Sequence, residues 1–181
     1  MDLGSSAERL MGMNEAVWMR HANPWSGWTR LATAPVLFLA IWSHVWIGWW
    51  ALLPVAAVAV WTWLNPRVFA PPRRTDNWMS KGVFGERVWL NRREVPIPPS
   101  FSRAATILNA GSVVGALIAA YGFVVTDVWA ALGGFALAVV FKTWFVDRMV
   151  WLYEMMRDAD PRYAAWMRPA GGPESPDRTG G

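Results

Sequence analysis

The chain has no cysteine, only two histidines and only two lysines, and it has long stretches with no charge at all. The missing cysteine excludes disulfides, a thiolate metal site and a cysteine nucleophile. His21 and His44 are separated by roughly 30 Å of helical path, too far to share one metal or haem within a chain. Read structurally, both are interfacial histidines. A desaturase-like di-iron membrane enzyme needs many more. No HExxH, GxSxG, phosphate-loop or GxGxxG signature is present. The N-terminus carries Asp2, Glu8 and Glu15 and has no apolar core before Leu31. It is therefore not expected to be a cleavable signal peptide. Charge is absent from 31 to 66, from 104 to 126 and from 128 to 141. A soluble domain needs polar faces on such segments. The two longer runs meet the roughly 20 apolar residues that cross a bilayer.

What is present points the same way. Of 181 residues, 54% are hydrophobic, 15 are tryptophan and 17% are charged, against about 25% charged in soluble domains. The expected fold is an all-α integral membrane protein of four transmembrane helices in two hairpins. The spans are placed at about 31–45, 49–64, 104–125 and 128–151, with the last continuing past Trp151. Amphipathic helices at about 5–20 and 76–91 accompany them at the cytoplasmic face, the second interrupted by Gly82 and Gly85. Residues 1–168 form one membrane domain, and 169–181 read as a disordered tail. Asn23 followed by Pro24 is a helix start. Gly48 and Asp127 mark the turns, and Pro35 and Pro54 are placed near helix starts. Tryptophans at 42, 46, 49 and 50 form one interfacial belt, and those at 25, 28, 61 and 63 form the other.

The connection from 65 to 103 and the two terminal segments hold essentially all Lys and Arg, and the two turns hold none. By the positive-inside rule both termini are cytoplasmic. Arginine greatly outnumbers lysine, a bias of GC-rich genomes, so the expected location is a bacterial inner membrane. Gly111 and Gly115 form a GxxxG pair that permits close helix approach. Gly133 and Gly134 are expected to pack near Ala119 and Gly122. That leaves Gly111 for span two or for another subunit.

The polar residues that could carry function gather on the cytoplasmic side. Arg67, Asp76, Lys81, Glu86, Arg87, Lys142, Asp147 and Arg148 form a candidate site for an anionic headgroup, with arginines as phosphate partners. A hydrolytic version would use Asp76, Glu86 or Asp147 as base or metal ligand. No catalytic residue and no metal site is assigned. The structural alternative is an ion-pair network tying the connection to span four. In it, Asp147 meets a cation of the connection, and Arg148 meets Asp76 or Glu86. These two neighbours point about 100° apart on a helix and are not expected to pair with each other. Tryptophan excess fits membrane anchoring, a packing surface for another subunit, or a pocket for a pigment, quinone or isoprenoid, so no cofactor is assigned. Aromatics at lipid depth argue against nucleic acid as a partner.

The stretches RHANPWSGWTR, IGWWALLP, WLNPRVF, DNWMSKGVFGERVWLNR and KTWFVDRMVWLYE resemble a family of small prokaryotic Trp-rich membrane proteins known only as a domain of unknown function. The resemblance covers about residues 17–158. It implies a self-contained membrane domain and carries over no activity, substrate or catalytic residue. The residues themselves lead to an expected non-enzymatic accessory or scaffold subunit with lipid at its cytoplasmic rim. Its expected partners are membrane lipids, other membrane subunits or a second copy. The alternative is a small enzyme or carrier acting on a lipid, isoprenoid or quinone.

Overall fold

The computed structural model describes residues 15–169, and all of their regular structure is helical. Most of the helix expected at 5–20, and the tail beyond Pro169, lie outside these residues. The elements are α1 (Glu15–His21), α2 (Pro24–Trp42), α3 (His44–Ile47), a 3-10 turn (Gly48–Ala51), α4 (Leu52–Val68), α5 (Trp78–Leu90), α6 (Pro99–Val125), α7 (Val128–Met156) and α8 (Pro161–Ala165).

Three helical stretches are long and apolar enough to cross a membrane: Pro24–Val68, Pro99–Val125 and Val128–Met156. That is one fewer than the charge-free runs imply. The first stretch is not straight. Gly48 adopts φ 56°, ψ −132°, a conformation open to glycine and strained for other residues. The chain folds back there, and α4 lies antiparallel on α2. With 17 residues, α4 is about 26 Å long, short of the roughly 30 Å hydrocarbon layer. Helix α2 starts on Asn23, whose side chain accepts from the Trp25 amide at 2.9 Å. It thus begins earlier than the charge pattern indicates, and Pro35 falls inside the helix rather than near its start.

Hydrogen bonds join α2 to α4. Ser26 Oγ donates to Asn65 Oδ1 at 2.7 Å, and Asn65 Nδ2 donates to Thr29 Oγ1 at 2.8 Å. Trp61 Nε1 donates to Thr33 Oγ1 at 3.1 Å. Ser26 and Asn65 are fully buried. Without water, such groups must find partners in the protein, so the polar residues select each other and set the register.

Helices α6 and α7 meet through small residues instead. A Cβ at Gly115 would lie 2.5 Å from the Ala138 amide nitrogen, and one at Gly122 or Gly134 would run into facing backbone. Ser112 Oγ donates to the Ala138 carbonyl across the same seam. Two expectations are corrected here. Gly111 does not face another subunit, because the Phe141 ring of α7 fills the space above it. Gly133 meets nothing within 4 Å, so only Gly134 of that pair packs on α6, against Ala119. The turn between the two helices places Thr126 at φ 57°, ψ 31°. Asp127 then caps α7, accepting from the amides of Trp129 and Ala130. The two hairpins touch through rings, with Phe38 5.3 Å from Phe123 and 5.2 Å from Phe135.

The best-packed core lies at one end of the bundle. Trp18, Val83, Phe84, Val88, Leu108, Phe145, Met149, Tyr153 and Tyr163 form one buried cluster from α1, α5, α6, α7 and α8. Helix α5 is continuous through Gly82 and Gly85, which correct the expected interruption: both are buried, and their missing side chains let α5 press on α7. At Gly85 a Cβ would strike the Met149 backbone. Thr75 closes the cap. Its hydroxyl donates to the Trp166 carbonyl at 2.9 Å and accepts from the Arg168 amide at 2.7 Å.

Candidate functional site

The polar residues singled out from sequence do not converge on one point. They separate into pairings at the rim where α5 crosses α7. Lys81 pairs with Glu154 of α7. Glu86 faces Lys142 at 3.6 Å, and the Lys142 ammonium also lies 4.4 Å from the centre of the Phe145 ring. Asp147 accepts from the Trp78 indole at 3.3 Å. Asp76 pairs with Arg74, two residues away, at 3.0 Å. Arg67 stacks on Trp63 at 4.0 Å.

Arg148 departs from expectation. It meets neither Asp76 nor Glu86, and its Nη2 lies 3.4 Å from Oδ2 of the adjacent Asp147. The Cβ vectors of neighbours on a helix diverge, but a guanidinium on a long stem can fold back across that angle. Within this set, Glu86 faces Lys142 and Asp147 faces Arg148.

Arg87 belongs elsewhere. It forms an ion pair with Glu15 of α1, and its guanidinium lies 4.0 Å from the centre of the Trp166 ring. This arginine forms part of the wall of an open groove of about 750 Å³ with Asn91, Glu94, Tyr163, Trp166 and Arg168. Asn91 Nδ2 donates to Tyr163 Oη at 2.8 Å. Neither Asp76, Glu86 nor Asp147 lines this groove, so the carboxylates of the hydrolytic alternative are not gathered in a cavity there. Among the described residues no three His, Cys, Asp or Glu side chains are grouped to hold a metal ion.

One cluster was not foreseen. His21 is buried, and Arg30 Nη1 donates to its ring at 2.8 Å from Nδ1. Trp18 stands edge-on to the imidazole at 5.6 Å. Burial holds His21 well below the ordinary histidine range, and the charges of Arg30 and Lys142 push the same way. A neutral ring is also what the contact requires, since an arginine can only donate. The signal was available in part: His21 and Arg30 flank the Asn23–Pro24 helix start, so the break folds α1 back towards the first turns of α2.

Residues 4–171 match the model of a family of unknown function, DUF6653. The chain belongs to that family. It matches no curated protein and no solved structure. For this DUF6653 protein the site therefore rests on its own geometry: a rim at which α5 is tied to α7 by ion pairs, and the buried contact of His21 with Arg30.

Proposed function

We propose that this DUF6653 protein is a non-enzymatic accessory or scaffold subunit of a bacterial inner membrane, binding lipid at its cytoplasmic rim. In this reading α2, α4, α6 and α7 all enter the bilayer, giving four crossings with both termini cytoplasmic, and α4 meets its short length by local thinning. The observation that carries the proposal is the use of the rim charges. Lys81, Glu86, Asp147 and Arg148 lie in contacts that hold α5 to α7 or fold back on α7 itself. Each carboxylate faces a cation or an indole N–H, as in a structural tie. A general base instead needs a reachable substrate proton. The exposed tryptophans support the membrane placement. Trp46, Trp49, Trp50 and Trp129 stand out at one end and Trp25, Trp28 and Trp63 towards the other, at the two levels where indoles prefer to sit.

The second reading, a carrier or enzyme for an amphiphile, is favoured by one observation, the open groove beside Arg87 and Trp166. Purification of the full chain in a mild detergent separates the two. A stoichiometric partner or a defined oligomer is expected. A lone monomer that converts or exchanges an added isoprenoid or quinone would overturn the scaffold reading. Orientation is read with single cysteines in this cysteine-free background. Gly48→Cys and Asp127→Cys should label from outside and Glu94→Cys should not. Ser80 is fully buried and unsuited to labelling, whereas the Glu94 side chain is exposed. External labelling at position 94 would reverse the topology.

A further inference from the structure

One face of α7 carries a half-open charge pair between two indoles. Trp144, Asp147, Arg148 and Trp151 stand at i, i+3, i+4 and i+7 of this helix, the spacing that gathers four side chains into one patch. Both indoles are exposed, and the side chains of Arg148 and Asp147 are 42% and 39% exposed. The two charges are loosely held. Arg148 Nη2 lies 3.4 Å from Asp147 Oδ2, and Trp78 Nε1 donates to Asp147 Oδ1 at 3.3 Å. Charge-assisted bonds of this kind close to about 2.7–2.9 Å. Arg148 Nε is buried without an acceptor, and no acceptor among the described residues reaches Nη1. A buried donor left unmade is costly, and the described residues do not supply the missing oxygens. Arg148 is about 30 Å along α7 from its start, roughly the thickness of the hydrocarbon layer. In the four-crossing arrangement the patch therefore lies at the level of the lipid phosphates, with one indole on either side of it along the axis.

We propose that this patch binds the headgroup of a zwitterionic phospholipid with a primary ammonium, its phosphate on Arg148 and its ammonium on Asp147, between the two indoles. The proposal rests on the reading of a lipid-holding rim and names the lipid class. Charge decides that class. Asp147 and Arg148 sum to zero, so a purely anionic headgroup loses at Asp147 what it gains at Arg148. A zwitterion replaces one long contact by two contacts of opposite charge. Its phosphate offers two oxygens to the Nε and Nη2 fork once the guanidinium turns off Asp147. Its ammonium brings three donors, one of them for Oδ2. A quaternary ammonium suits the indole faces but has no proton to donate to the carboxylate. Oδ1 stays with Trp78, so the tie to α5 is kept. Towards the start of α7 the same face continues through the exposed Val140 and Leu137, a strip along which an acyl chain can lie.

The test uses the full chain in a neutral detergent, titrated with phosphatidylethanolamine, phosphatidylglycerol, phosphatidylcholine or free phosphoethanolamine. Lipid retention is read by native mass spectrometry and the melting temperature in parallel. Phosphatidylethanolamine should be retained about fivefold better than either other lipid, the size of one exposed charge pair. Asp147→Asn keeps an oxygen for the Trp78 indole and should erase the preference over phosphatidylglycerol. Arg148→Gln should weaken phosphatidylethanolamine retention about fivefold. Arg73→Gln, on the exposed connection, should leave it unchanged. Equal retention of the three lipids, or a preference for phosphatidylglycerol, would overturn the site. So would variants that shift the melting temperature while the headgroup preference stays, since a purely structural pair behaves that way. If Asp147→Asn does not fold, full phosphatidylethanolamine binding by Arg148→Gln overturns the site. An equal thermal shift from free phosphoethanolamine would keep the zwitterion site and overturn the lipid as its source. Lipid-indifferent protein that still captures a partner would refute this site alone. A partnerless monomer that selects phosphatidylethanolamine through Asp147 and Arg148 would refute the scaffold reading alone.

Discussion

The two hairpins solve the same problem with different physics. Between α6 and α7 the seam is made of absent atoms: Gly115, Gly122 and Gly134 let backbone meet backbone. Between α2 and α4 it is made of polar atoms, in the chain from Ser26 to Asn65 to Thr29 and the Trp61–Thr33 bond. In lipid there is little hydrophobic drive to bring helices together, and these two devices are what remain. Close packing fails when volume is added. Hydrogen bonds fail when one partner is removed.

The comparison breaks most sharply at Gly115. Gly115→Leu should lower stability by about 1–3 kcal/mol or more, because a large side chain must drive α6 off α7. Gly133→Leu should stay within about 0.5 kcal/mol, since nothing faces it. Thermal unfolding in detergent compares them, and equal losses would mean that the seam is not what holds this hairpin. The other hairpin is probed with Asn65→Leu, which strands the Ser26 hydroxyl. The expected loss is about 1–2 kcal/mol, and an unchanged melting temperature would remove the polar seam as its determinant. Next, Thr126→Gly should raise stability by about 1 kcal/mol, because a β-branched residue sits there in left-handed backbone. A decrease would show that the Thr126 side chain contributes more than its backbone strain costs. Trp61→Phe should cost about 0.6 kcal/mol, the size of an average bond between helices in lipid.

A pH scan sharpens the same contrast. His21 has a folded-state affinity for protons lower than in the unfolded chain. The unfolded state therefore binds more protons as pH falls through about 6.5, the ordinary histidine value. Stability from this group is complete above that value and declines below it, towards the depressed folded value. Its charged neighbours are Arg30 and Lys142, and Lys142 in turn faces Glu86. His21→Gln should flatten the acid limb of the melting curve. An unaltered limb would assign the acid sensitivity to another group.

The stretches without charge were legible because lipid tolerates no alternative, and so were the helix start at Asn23 and the turn at Asp127, where one or two residues suffice. The pairings were not. Lys81 with Glu154, Arg87 with Glu15 and His21 with Arg30 depend on where α1 and α5 land, and no local spacing encodes that. Gly82 and Gly85 looked like breaks because glycine weakens isolated helices, yet close contact with Val146 and Met149 of α7 outweighs that propensity. The polar seam went unread, although Ser26, Thr29 and Thr33 recur along one face of α2 and Asn65 lies in another uncharged helix. Helix α4, expected at 49–64, runs from Leu52 to Val68, and the chain folds back at Gly48, where a turn was expected.

That fold-back bears on how the protein is made. The tip from 43 to 51 contains no Lys, Arg, Asp or Glu, and its backbone is already paired, with the Trp46 and Ile47 amides donating to the Ser43 carbonyl at 2.9 Å. Peptide groups paired internally do not resist entry into hydrocarbon. In the proposed four-crossing topology, α2 and α4 would therefore enter the bilayer as one unit, with Asn65 bonded to Ser26 and Thr29 across their seam.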